Sequence, residues 1–207
     1  GIILMDNPNL SLNTRAAQFQ ALLENCAFSD STGQVLDAEA GILRAMQYLR
    51  AIRAQGGRVY LIGNGGSAGV ASHATTDFMN VAKLRAHTLH DASILTCMAN
   101  DYGYENAFAR MVTQVATRGD ALIAISSSGK SLNIRHAATA MKQAGGVVIT
   151  LSGFDAANPL RGMGDLNIWL DSKDYGFVEI GHQFVLHNIA DRFGKDRLGR
   201  YGAPGAG

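Results

Sequence analysis

Two short runs of small polar residues, each placed directly after an apolar stretch, constrain this chain more than any other feature. Gly63-Asn64-Gly65-Gly66-Ser67 follows Arg58-Val59-Tyr60-Leu61-Ile62, and Ser126-Ser127-Ser128-Gly129-Lys130-Ser131 follows Ala121-Leu122-Ile123-Ala124-Ile125. Each run opens a segment of helical character. A strand that turns through small residues into a helix presents backbone N–H groups and hydroxyls to one point, and such a point suits a phosphate. Two of these turns in one chain predict a phosphorylated ligand held by its anionic end and by its polar body.

The surrounding pattern alternates strand and helix. Strands are predicted at 58–63, about 85–90, 121–126, 147–152 and 166–170, and helices at about 67–80, 92–99, 104–116, 131–144 and 175–193. Continuous apolar strands such as Val147-Val148-Ile149-Thr150-Leu151 indicate burial on both faces, the mark of a parallel sheet. The expected fold class is α/β, a doubly wound five-stranded parallel sheet of flavodoxin-like type. Ligands of such sheets sit beyond the carboxyl ends of the strands, where both polar turns lie. Two helices are predicted ahead of the sheet, over 10–26 with Asn9 or Ser11 as cap and over about 35–54, with a break at 29–33. This N-terminal helical pair can pack against a neighbouring subunit or cover its own sheet. Residues 10–195 are expected to form a single domain, between a disordered or tag-like stretch at 1–9 and a flexible tail at 196–207.

Composition narrows the class of function. A chain of 207 residues with 47% hydrophobic content fills one domain. Its net charge of +1 offers no basic field for nucleic acid, and no apolar run reaches the roughly 20 residues of a membrane span. Neither nucleic acid nor membrane is an expected partner. Gly1-Ile2-Ile3-Leu4-Met5 lacks the charged region and cleavage site of a signal peptide, and Cys26 and Cys97 lie outside any CxxC. A cytoplasmic chain with free thiols is the expectation.

Two nucleotide motifs are approached without being met. Gly63, Gly65 and Ala68 fit G-x-G-x-x-A, yet the acid expected about 20 residues further on has only Asp91 as a late candidate. The second turn reads A-x-x-x-x-G-K-S, with Ala124 replacing the first glycine of a phosphate-binding loop. An apolar strand occupies the place where backbone has to wrap the phosphate. No nucleotide cofactor is expected.

In chain order, the first turn, His73 on the helix it opens, Asn100-Asp101-Tyr102-Gly103, the serine turn and His187 on the last helix resemble the sugar isomerase (SIS) domain. Within it the set resembles the sedoheptulose 7-phosphate isomerases, also called phosphoheptose isomerases, over about 10–195. The resemblance implies a homotetramer with active sites built across subunit contacts. Its implied activity converts sedoheptulose 7-phosphate to D-glycero-D-manno-heptose 7-phosphate through an enediol(ate). Carried over by position, Asn64, Gly65, Gly66, Ser67, Asp101 and Glu179 would hold the sugar and its phosphate end. Ser126, Ser127, Ser128 and Ser131 would clamp the phosphate, with Lys130 standing where the family usually has Asn. His187 is the implied base, being of a residue type suited to proton transfer near neutral pH, and Asp77 the implied acid.

Spacing bears on the same residues. His73 and Asp77, four apart, share one helix face. Glu179 and His187 are separated by about 12 Å of helical rise. Together these four give two imidazoles and two carboxylates, a zinc-type ligand set. Asp77 and Glu179 stand where the family pattern has Glu and Gln, and both retain oxygen donors. His182, rotated about 140° from His187, is read as an interface or core histidine. His87, His90 and His136 show no partner pattern. The alternatives are a non-catalytic SIS-domain tetramer that binds a replication initiator or another protein, and an isomerase for a different phosphosugar.

Overall fold

The computed structural model of the chain describes residues 8–194; the expectations for 1–7 and for 195–207 concern positions outside them. Chain order is α1 (Leu12–Glu24), β1 (Ala27–Asp30), β2 (Val35–Leu36), α2 (Ala38–Ala54), β3 (Arg58–Ile62), α3 (Gly66–Asn80) and β4 (Arg85–Thr88). It continues through α4 (Ala92–Tyr102), α5 (Tyr104–Val115), β5 (Ala121–Ser126), α6 (Leu132–Gln143), β6 (Val147–Ser152), β7 (Leu166–Trp169) and α7 (Tyr175–Asp191). All strands belong to one seven-stranded sheet in the order β2-β1-β7-β6-β5-β3-β4.

The stretch from β7 to β4 is parallel throughout and comprises the strands expected from the apolar runs. The sheet is larger than the five strands anticipated. A β1–β2 hairpin adds to it, with β1 antiparallel to β7. The predicted break at 29–33 and helix start at about 35 are therefore corrected. Asp30 Oδ1 accepts from Thr32 N, Thr32 Oγ1 and Gln34 N at 2.7–3.0 Å, which turns the chain back on itself. Asp37 then caps α2 by accepting from Ala40 N at 2.9 Å, so the helix begins after Leu36 rather than at Val35. Ser11, one of the two expected caps, accepts from Thr14 N at the start of α1.

Alternation along the strands divides the core. Val59, Leu61, Ile123 and Ile125 face a cluster shared with α2, α3 and α7. Tyr60, Ile62, Leu122 and Ala124 face a second cluster shared with α5 and α6. Every residue of β5 is buried, as a central strand covered on both faces requires. The chain leaves β3 for β4 on one side and returns to β5 on the other. The order reverses between β3 and β5, the crevice where open α/β sheets take their ligands. Both polar turns leave the sheet there.

The N-terminal helices part company. The apolar stripe of α2 lies on the chain's own sheet, with Ile42, Met46, Leu49 and Ile52 buried. In contrast, α1 buries only Leu22 and rests on α7, where Phe19 packs on Phe177 and Phe184 with ring centroids 5.9 and 6.2 Å apart. Among the described residues no helix is long and apolar enough to cross a membrane, and Cys26 and Cys97 are free thiols.

Candidate active site

The two turns form one cavity of about 290 Å³, lined by Asn64, Gly65, Gly66 and Ser67 from the first and by Ser126, Ser127, Ser128 and Ser131 from the second. Tyr175 and Glu179 of α7 complete it. Within the serine turn, Ser126 Oγ accepts from Gly129 N at 3.2 Å and donates to Ser131 Oγ at 3.3 Å. Ser128 Oγ accepts from Lys130 N at 3.2 Å. Ser131 occupies the N-cap position of α6 but makes no side-chain capping bond. Helix capping therefore does not account for its hydroxyl. Ser127 is 5% exposed, and its Oγ has no hydrogen-bond partner among the described residues. Burying a hydroxyl unpaired costs on the order of 1–3 kcal/mol, a cost that a polar ligand in the cavity would offset.

Asn64 is held from two sides. It exchanges hydrogen bonds with Asn133, each 2.9 Å, and its Oδ1 accepts from Tyr104 OH at 2.7 Å. Asn133, Tyr104 and Tyr175 escaped the sequence reading because single polar residues at helix starts carry no periodic signal. His90 is a further addition, its Nε2 accepting from Gly63 N at 3.3 Å; burial holds its imidazole below the ordinary value. Glu179 lies against the start of α3, close enough that a Cβ on Gly66 would overlap its carboxylate. Asp101 is placed elsewhere. It is exposed at the end of α4 and takes a 3.0 Å bond from Asn100 Nδ2; it is not among the residues lining the cavity. Lys130 is exposed as well.

A second cluster sits where α3 packs on α7. His187 Nδ1 lies 3.0 Å from Asp77 Oδ2, His73 Nε2 lies 3.5 Å from the same oxygen, and the two histidine Nε2 atoms are 3.0 Å apart. Asp77 is 8% exposed, whereas His73 is exposed and His187 half-buried. His187 thus turns Nδ1 toward the Asp77 carboxylate and Nε2 toward His73, and which of the two histidine Nε2 atoms donates follows from the tautomer.

One ligand atom from each of the three residues falls within 4.8 Å of the others. Donors around a tetrahedral zinc, with bonds of about 2.0–2.1 Å, are about 3.3 Å apart. Two separations from His73 Nε2, 3.0 Å to His187 Nε2 and 3.5 Å to Asp77, lie near that figure, while His187 turns Nδ1 rather than Nε2 toward Asp77. The three side chains form a group of the kind that can hold a metal ion. Glu179, expected as a fourth ligand, is not in the cluster. Two helical turns leave it about 80° around α7 from His187, with its carboxylate at Gly66 instead.

Comparison with known proteins gives the family and the fold. The sequence profile of the SIS domain matches residues 27–153. The chain belongs to the SIS domain family. Its curated relatives include the phosphoheptose isomerase of Geobacter sulfurreducens, 35% identical over 169 residues, which span 76% of this chain and 89% of that protein. Another is the phosphoheptose isomerase of Trichlorobacter lovleyi, 33% identical over 156 residues, covering 72% of this chain and 79% of the relative. Among solved structures, the phosphoheptose isomerase of Neisseria gonorrhoeae superposes with a TM-score of 0.71 at 24% identity, covering 88% of this chain and 98% of that one. That likeness confirms the fold. The profile match takes in both polar turns, His73 and Asp77 of this SIS domain; Glu179 and His187 follow it on α7.

The other histidines stand apart from this cluster. His136 Nδ1 lies 2.9 Å from Glu105 O, and His87 packs beside Tyr60. His182 is fully buried in the core, with Nε2 2.9 Å from Ser152 O. Burial pushes its imidazole down to about 4 from 6.5. The unfolded chain therefore takes up this proton first as pH falls. The stability linked to His182 is complete above pH 6.5 and is lost as pH drops toward about 4, amounting to about 3 kcal/mol. Urea unfolding at a series of pH values should show His182→Gln with a shallower decline across that window than the parent chain. An unchanged decline would contradict the assignment.

Proposed function

We propose that this chain is a phosphosugar isomerase that interconverts sedoheptulose 7-phosphate and D-glycero-D-manno-heptose 7-phosphate. The observation carrying this reading is the serine-lined cavity with the unpartnered Ser127 hydroxyl, bordered also by the starts of α3 and α7, the helices that bring His187 to Asp77. The names of the relatives supply the seven-carbon substrate. The free thiols support a cytoplasmic setting.

In this reading Ser126, Ser127, Ser128 and Ser131 hold the phosphate with hydroxyls. Ser67 and the Gly65-Gly66 turn add the start of α3. Asn64, braced by Asn133 and Tyr104, and Glu179 meet the polar body of the sugar. Asp101 would take part only after movement of α4 or from across a subunit contact.

Isomerisation moves a proton between C1 and C2, and removing that C–H proton is the barrier. His187 is assigned the base. With Nδ1 turned to Asp77 at 3.0 Å, its Nε2 is assigned as the basic atom, and Asp77 is assigned to shuttle the oxygen protons. His73, Asp77 and His187 would hold a zinc-type ion, which when bound polarises the carbonyl and stabilises the enediolate oxygens. A nitrogen that ligates an ion cannot at the same time accept a proton, so ligand and base are roles of His187 in different states of the site.

The assembly proposed is a homotetramer. No residue of α4 is buried, although the helix carries Ile94, Leu95, Met98 and Tyr102, and Ile180 and Phe184 of α7 are 59% and 53% exposed. The apolar stripe of α2 covers its own sheet, so α1, with only Leu22 buried, is the member of the N-terminal pair assigned to pack between subunits. Light scattering at micromolar concentration should give a mass well above the chain's 22.0 kDa; a stable monomer would remove the proposal.

Incubation with sedoheptulose 7-phosphate and chromatography of the sugar phosphates tests the activity. His187→Ala should lower turnover by at least about a hundredfold, the usual worth of a positioned base, and Asp77→Asn should act similarly. Turnover near that of the parent in either variant would strip that residue of its role.

For the ion, elemental analysis of pure protein should find about one zinc-like ion per chain, as a filled site of this donor set requires. His73→Ala should reduce retention more than His182→Gln. Metal-free protein that is fully active and gains nothing from added zinc would leave the three side chains to hydrogen bonding and proton transfer.

A further inference from the structure

The serine turn is held from outside as well as by its own bonds. Two backbone bonds tie it to the segment that follows β6: Gly153 N donates to Ser127 O at 2.9 Å, and Leu160 N donates to Gly129 O at 3.2 Å. Gly129 has φ +64, so the turn passes through the left-handed region at the residue Leu160 grips. Both donors come from a segment with no α-helix of its own. One side chain organises it.

That side chain is Asn158, which is 4% exposed. Its Nδ2 lies 3.1 Å from Ser152 Oγ, 3.2 Å from Gly153 O and 2.9 Å from Asp155 O. Its Oδ1 accepts from Arg161 N at 3.1 Å, capping the short 3₁₀ helix Pro159–Gly162 that contains Leu160. The same Oδ1 lies against the turn itself, where a Cβ on Gly129 would overlap it. One amide thus fixes Gly153 and Leu160, the two residues that grip the turn, and fills the space behind Gly129. No carboxylate or apolar residue supplies two donors and an acceptor in this shape.

We infer that Asn158 is a positioning residue that presets the serine turn for phosphate, so that it governs affinity for the phosphate end of the ligand and not the proton transfer. The consequence is energetic. A turn already held in its bound shape spares the ligand the cost of ordering it. Loss of the brace leaves the Ser127 and Ser128 hydroxyls to be ordered at each binding event. The base cluster on α3 and α7 makes none of its contacts through Asn158, so turnover at saturation is spared. The inference rests on the isomerase reading for the identity of the sugar, and on the cavity alone for the phosphate.

The test uses the full chain and two variants, Asn158→Ala and Asn158→Asp. Asn158→Asp keeps the volume and the acceptor for Arg161 N while setting a carboxylate oxygen among three acceptors. Inorganic phosphate binding by calorimetry, steady-state kinetics on sedoheptulose 7-phosphate and thermal unfolding are measured together. Expected is a loss of phosphate affinity and a rise in KM of about tenfold or more, with kcat within about threefold and the cooperative unfolding transition retained. Lowering the pH should narrow the affinity gap between Asn158→Asp and the parent, because a protonated carboxyl regains a donor. Folded variants with the parent's phosphate affinity and KM would overturn the inference, and so would unfolding of both variants. A parent that binds phosphate yet leaves the heptose phosphate untouched would sink the isomerase reading, and weakened phosphate binding in the variants would still uphold the role of Asn158. A parent that binds no phosphate would sink both.

Discussion

Parallel pairing of β3 with β5, in register from Val59 opposite Ala121 to Ile62 opposite Ala124, is the constraint from which the site follows. Neighbouring parallel strands end side by side, so the chain leaves the sheet twice within one strand spacing of about 4.8 Å. The helices that follow are sent to opposite faces, α3 to one core cluster and α6 to the other. Between them the small residues leave a cavity, and the reciprocal Asn64–Asn133 pair joins the two helix starts across it. If β5 slipped by one residue, Ile123 and Ile125 would exchange faces with Leu122 and Ala124, and the two turns would no longer meet at one level.

In the proposed reading, this pocket would meet an anion largely without cations. Its lining comprises hydroxyls, an amide, backbone, Ile125, Tyr175 and Glu179, while Lys130 is exposed. Oriented N–H and O–H dipoles lose less to salt than a lone ammonium at the surface, and they discriminate by direction. A carboxylate at the rim raises the cost of any second negative group there. Polar but uncharged ligand parts fit beside Glu179 better than a second phosphate.

The parallel strands and the helices after them were legible because period and apolar runs are properties of many residues at once. The hairpin at 27–36 was not, for β1 has four residues and β2 two, too few to show alternation, and its turn depends on one carboxylate, Asp30. In the candidate site, the serines and His73, Asp77 and His187 were readable from motif order, and the structure brings each set together. Glu179 and Asp101 show the limit of such reading. Position along a helix predicts the face on which a side chain starts, whereas a long carboxylate ends where a neighbouring backbone leaves room, as Gly66 does for Glu179. Asn133 and Asn158 work through single hydrogen-bonded placements that only the folded chain defines.

The hairpin has a bearing beyond the site. An open parallel sheet ends in two rows of unpaired backbone groups, each a template for adding foreign strands. On the β7 side, β1 reverses direction and β2 stops after Val35 and Leu36, too short to recruit a partner. On the other side, β4 presents the exposed Arg85 and His87 to either side of the buried Ala86. One flank is blunted by length and the other by solvated polar side chains, so the sheet resists growing into a fibre through its edges.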